Sequence, residues 1–154
     1  MESSYGRNLE EFQTGEKIIH EPAKTITESD NNLFCLLTMN HHPLHIDKNY
    51  AEGTEFGRQV VVGTLVFSLA VGLSVRDISG KAIANLDYEK VQHIAPVFIG
   101  DTIRAESEIL NVRRSRSKPD RGIVQVKTSA YNQKDQLVLT FIRSVLIPVR
   151  MSSE

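Results

Sequence analysis

In the C-terminal half of the chain, apolar and polar residues alternate with a period of two. Ile103, Ala105, Ser107 and Ile109 interleave with Arg104, Glu106 and Glu108, and Val124, Val126, Thr128 and Ala130 interleave with Gln125 and Lys127. That period puts one set of side chains on one face of a sheet, and it predicts half-buried strands over Thr102 to Val112 and Gly122 to Tyr131. Gln133 to Gln136 is a connection of hairpin length. It leads into Leu137 to Val149, where both alternating faces are rich in apolar residues, as in a strand covered on both sides. Ala82 to His93 is a further strand with weaker alternation.

Further toward the N-terminus the pattern changes. From Gly63 to about Val75 the segment GTLVFSLAVGLSV is hydrophobic nearly all round, which predicts a helix buried on most sides; its length favours helix over strand. Thr27 with Asp30 three residues on reads as a helix start. The helix runs through Leu33, Phe34, Leu36 and Leu37 and must stop before Pro43. Glu16 to Thr27 has the β-branched content and Glu-Pro break of a bent or interrupted strand, and the first dozen residues read as loosely held. Asn40 to His45 (NHHPLH) is expected to be an irregular loop, and Asp47 an N-cap for a brief helix over Lys48 to Glu52.

One buried helix and about five mainly antiparallel strands make an α+β arrangement, with a curved sheet wrapped around a central helix. The 154 residues suit a single domain spanning 1–154. A small curved sheet leaves an edge to protect, so a homodimer or higher homo-oligomer is expected.

Composition narrows the function classes. The formal charge of −1, from 18 basic and 19 acidic residues, gives no field that would draw the chain to nucleic acid or an anionic membrane. The apolar run from Gln59 to Val75 is interrupted by glycines and hydroxyl residues, and it is shorter than the roughly 20 residues that span a bilayer. Cys35 is the only cysteine, and the N-terminus lacks a basic region followed by an apolar run, so a cytoplasmic protein is expected. Cys35 itself reads as a small buried hydrophobe. The stretch Arg113 to Arg121 (RRSRSKPDR) carries five positive charges around a turn-forming Lys-Pro-Asp. It reads as a solvated hairpin tip, with binding of phosphates or of an acidic substrate arm as the alternative.

The cluster His41, His42, His45 and Asp47 raises the question of a metal. Pro43 breaks the helical spacing that would bring His42 and His45 together, and no HExxH or cysteine set accompanies them, so no metal is expected. His20 and His93 can join a site only through the fold.

The order YGRNLEEFQTGEKI, TITESDNNLFCLLTMN, HPLHID, VVVGTLVFSLAVGLS and APVFIGDTIRAESEIL resembles the MaoC-like dehydratases and (R)-specific enoyl-CoA hydratases of the hot-dog superfamily over almost the whole chain. In their hydratase loop, Ser/Thr-Gly-Asp-x-Asn-Pro-Leu-His, the family's residues are matched by Thr38, Pro43, Leu44 and His45, while Met39, Asn40 and His42 replace Gly, Asp and Asn. The resemblance implies a hot-dog fold, an acyl-CoA substrate, and reversible hydration of a 2-enoyl-CoA with no cofactor beyond the CoA of the substrate. LTMNHHPLH is similar to a branch linked with branched C5 dicarboxylic acyl-CoAs such as mesaconyl-CoA or itaconyl-CoA.

Such a hydration needs a base near neutral pH for the water, a proton for the α-carbon, and hydrogen-bond donors for the thioester oxygen. His45 is the expected base, since an imidazole is populated in both forms near pH 7. Asn40 cannot accept a proton and is expected to position water or substrate. Gly63 and Thr64, at the amino end of the apolar helix, are expected to supply amide donors, and His42 to support the loop at the substrate. The rival readings are a hot-dog thioesterase, which the loss of the loop carboxylate at Asn40 disfavours, and a non-catalytic acyl-CoA-binding subunit.

Overall fold

The computed structural model describes residues 5–151. Six strands form one antiparallel sheet. They are β1 (Lys17–Ile19), β2 (Lys24–Thr25), β3 (Ala84–His93), β4 (Thr102–Arg114), β5 (Arg121–Tyr131) and β6 (Leu137–Pro148). The order is β1-β4-β5-β6-β3, and β2 also pairs with β4. The interrupted segment thus gives two short strands rather than one, which raises the expected five to six. Pro22, between them, has no N–H to give a ladder.

The alternation holds residue by residue. Ile103, Ala105, Ser107 and Ile109 of β4 and Val124, Val126, Thr128 and Ala130 of β5 are buried. No residue of β6 is exposed. Among the described residues four α-helices precede β3: α1 (Glu28–Leu37), α2 (Pro43–Ile46), α3 (Lys48–Glu52) and α4 (Gly63–Ser74), the last continuing as a π-helical turn over Val75–Ser79. Thr27 Oγ1 accepts from Asp30 N while the Asp30 carboxylate accepts from Thr27 N, closing a capping box. The Thr27 amide and the Lys24 ammonium hold the Asp30 carboxyl down at about 2.

Two expectations require correction. From residue 5 onward the N-terminal segment is held in place: Leu9 and Phe12 are buried among Ile18, Ile109 and Val124, and Gly6 N donates to Arg76 O. Residues 1–4 lie outside the described part. Helix α4, expected to be buried on most sides, buries Val66, Ala70 and Ser74, half-buries Leu65, Phe67, Leu69 and Val71, and exposes Thr64, Ser68 and Gly72. An open sheet covers a helix along one side only, and the small residues fall on the uncovered ridge.

The core divides into two apolar clusters. Between them runs a buried polar belt. Asp77 accepts from His20 Nδ1 (2.7 Å), His20 Nε2 meets Ser107 Oγ (2.6 Å), and Ser107 Oγ meets Thr128 Oγ1 (2.8 Å). Arg143 is buried beside it and donates to Ser74 Oγ at the end of α4. Among the described residues no helix is long and apolar enough to cross a membrane.

Candidate active site

The segment expected as an irregular loop contains a helical turn, α2, so His45 is carried on a helix rather than a loop. Pro43 sits at its first position, where a missing N–H is harmless. His42 is its N-cap, and its ring Nδ1 accepts from Leu44 N (3.1 Å). Two residues earlier in this chain of supports, Asn40 Oδ1 accepts from His42 N (3.2 Å). Met39 is left-handed, with φ 61°, at the position where the resembling family has glycine.

His45 is fixed by its surroundings. Its Nδ1–H donates to Val60 O at 2.7 Å; a carbonyl can only accept, so the neutral ring keeps its lone pair on Nε2. The backbone of the same residue is tied twice, His45 O accepting from Asn31 Nδ2 and from Gln59 Nε2, each at 2.9 Å. Asn31 is fully buried, and its other end, Oδ1, accepts from Val62 N at 3.0 Å. One amide side chain on α1 therefore links the turn bearing His45 to the residue that precedes Gly63.

His45 and Gly63 share a cavity of about 290 Å³ whose wall also includes Phe56, Val60, Val66, His93 and Val138. Gly63 begins α4, and the first amides of a helix have no intrahelical acceptor. A Cβ at Gly63 would lie 2.8 Å from His93 Cε1, so glycine is what lets the His93 ring lie against the helix start. The cavity can hold a small, mainly apolar group between an acceptor nitrogen and helix-end donors.

Of the residues expected at the substrate, His45 and Gly63 line the cavity, and Asn40, His42 and Thr64 are not in its wall. Asn40 and His42 face their own turn, where they satisfy its backbone, and the Thr64 side chain is on the exposed ridge of α4. The sequence reading missed Asn31 and left His93 as a residue that joins a site only through the fold. A helix-borne Asn and a strand-end His carry no local signal, although the unpaired polar Asn31 beside Phe34 and Cys35 was a hint. Burial pushes the Cys35 thiol up, as befits an unreactive core residue. The basic hairpin tip is at the Pro148 end of β6, whereas the cavity is at the Val138 end, a separation of about 30 Å for ten residues of strand.

A MaoC like domain is matched over residues 11–132. The mesaconyl-CoA hydratase of Cereibacter sphaeroides is 33% identical over 97% of this chain and 43% of that protein. The beta-methylmalyl-CoA dehydratase of Chloroflexus aurantiacus is 34% identical over 94% of this chain and 41% of its own length. The chain thus spans about two fifths of these two proteins. The (R)-specific enoyl-CoA hydratase of Aeromonas caviae is 32% identical over 75% of this chain and 81% of that protein. A solved MaoC domain protein from Chloroflexus aurantiacus superposes with a TM-score of 0.92 at 32% identity, over 98% of this chain and 43% of that one. A Mycobacterium tuberculosis protein with a double hotdog fold superposes at 0.85 and 19% identity, over 97% of this chain and 46% of that one, a likeness of fold alone.

Proposed function

From its membership of the MaoC-like dehydratase family, whose hot-dog fold it has, we propose that the chain is a hydro-lyase that reversibly hydrates a 2-enoyl-CoA. The observation that carries this reading is the His45 ring, locked by Val60 O with Nε2 left as the acceptor, in one cavity with the start of α4. In the forward direction Nε2 takes a proton from water as its oxygen bonds to the β-carbon. The double-bond electrons pass to the thioester oxygen, which the Gly63 and Thr64 amides and the helix dipole stabilise. The imidazolium then returns a proton to the α-carbon, so no cofactor is required beyond the CoA of the substrate. Asn40 and His42 serve the reaction by building the turn on which His45 sits.

Relatives named for mesaconyl-CoA and beta-methylmalyl-CoA support a short, branched dicarboxylic acyl group, and the size of the cavity agrees with it. A thioesterase reading is not favoured, because no carboxylate lines the cavity to attack or activate water at the thioester carbon.

The assembly belongs to the same proposal. All ten residues of β3, the strand at the end of the sheet, are exposed, Leu86, Tyr88 and Val91 among them. A second copy pairing there would cover this face and close the cavity wall at His93 and Ile94, and relatives more than twice as long support such pairing. Cytoplasmic residence is part of the proposal and rests on the CoA-linked substrate and the single reduced cysteine.

The test is incubation with crotonyl-CoA and mesaconyl-CoA. Enone absorbance falls without release of free thiol, and His45→Ala lowers kcat/KM by about 10² or more. Release of thiol without hydration, or a His45→Ala loss below about tenfold, overturns the assignment.

A further inference from the structure

The cavity sets a charge problem for a dicarboxylic acyl group. Apart from His45 and His93, the side chains of its wall are apolar, and a carboxylate brought into such surroundings without a partner is disfavoured. His45 is committed, Nδ1 to Val60 O and Nε2 to the water. His93 has no such commitment. It ends β3, its ring lies against the Cα of Gly63, and neither ring nitrogen bonds to another described residue.

We infer that His93 determines specificity: a ring N–H of its imidazole receives the second carboxylate of a short dicarboxylic acyl group in the cavity where His45 acts. This rests on the hydro-lyase reading above. Two features of the site converge on it. The ring is pressed to the amino end of a twelve-residue helix, whose dipole attracts an anion and opposes a cation, so the ring meets the carboxylate through an N–H donor. No Asp or Glu lines the cavity to repel one. A cation that could compete, Arg58, stacks on Phe98 at 3.6 Å and faces a separate groove with Lys48, Glu28 and Glu52.

The experiment compares kcat/KM on mesaconyl-CoA and crotonyl-CoA for the wild type, His93→Gln, His93→Phe and Arg58→Gln. Both His93 variants lose about 10- to 100-fold on the dicarboxylic substrate, mostly in KM, which is the range for a charge-assisted hydrogen bond. The ratio of kcat/KM on mesaconyl-CoA to that on crotonyl-CoA falls by the same factor, and thermal melting shows that both variants are folded. Arg58→Gln keeps the wild-type ratio. Equal losses on both substrates, no loss on either, or a ratio that collapses in Arg58→Gln alone overturns the inference. A wild type that hydrates crotonyl-CoA but not mesaconyl-CoA removes this inference and leaves the hydro-lyase reading standing; one that hydrates neither removes both.

Discussion

Asn31→Leu separates holding the fold from aiming the base. The side chain is fully buried and uses both ends, donating to His45 O at 2.9 Å and accepting from Val62 N at 3.0 Å. Leucine has nearly the same volume and neither polar atom. His45 O retains Gln59 Nε2 as a donor, so on that side the loss is one net hydrogen bond, about 1 kcal/mol. Val62 is buried and its N–H is left without an acceptor, which costs about 1–3 kcal/mol. The sum, about 2–4 kcal/mol, corresponds to a fall in Tm of about 5–15 °C for a domain of this size. Because the lost amide is what ties α2 to the start of α4, the His45 ring shifts relative to Gly63. A displacement near 1 Å is worth up to about 10² in rate. The assay is enoyl-CoA hydration at a temperature where urea titration shows both proteins folded. A variant destabilised as calculated but within threefold of wild-type turnover would show that Asn31 does not position His45; a stability loss below about 1 kcal/mol would refute the hydrogen-bond argument itself.

Gly63→Ala places a methyl against the His93 ring; because that ring is exposed and can swing away, stability stays within about 1 kcal/mol while turnover on mesaconyl-CoA falls, as thermal melting and kinetics together will show. Met39→Gly removes a left-handed non-glycine residue whose side chain is solvent-exposed, and raises the urea midpoint by the equivalent of about 0.5–1 kcal/mol. Burial pushes the His20 imidazole below its ordinary 6.5, with the Asp77 hydrogen bond opposing and Arg143 and Arg7 adding to the shift. The unfolded chain therefore takes up this proton first on acidification. Stability from His20 is full above pH 6.5 and is lost as pH falls toward the folded value, with a slope of at most about 1.4 kcal/mol per pH unit. Urea titrations from pH 5 to 8 should show a flatter profile in His20→Gln, and an unchanged slope would remove His20 as its source.

Periodicity and capping chemistry were enough to place much of this molecule. Alternation along Ile103 to Ile109 and Val124 to Ala130 names the buried face of two strands, because side chains on a strand face opposite ways by local geometry alone. Thr27 with Asp30, and Asp47 before Lys48, mark helix starts because the groups they satisfy lie two or three residues away. The resemblance of the Pro-Leu-His run to the hydratase loop of the MaoC-like family is what singles out His45. Other features depend on partners remote in the chain. Asn31 bonds to residues 14 and 31 positions away, and His93 reaches the cavity because the β3–β6 register sets it opposite Leu139. His20 finds Asp77 and Ser107 across 57 and 87 residues. The chain alone fixes which face of each element is apolar; which polar side chains meet is settled when those faces pack, since only burial makes an unpaired donor costly enough to select its acceptor.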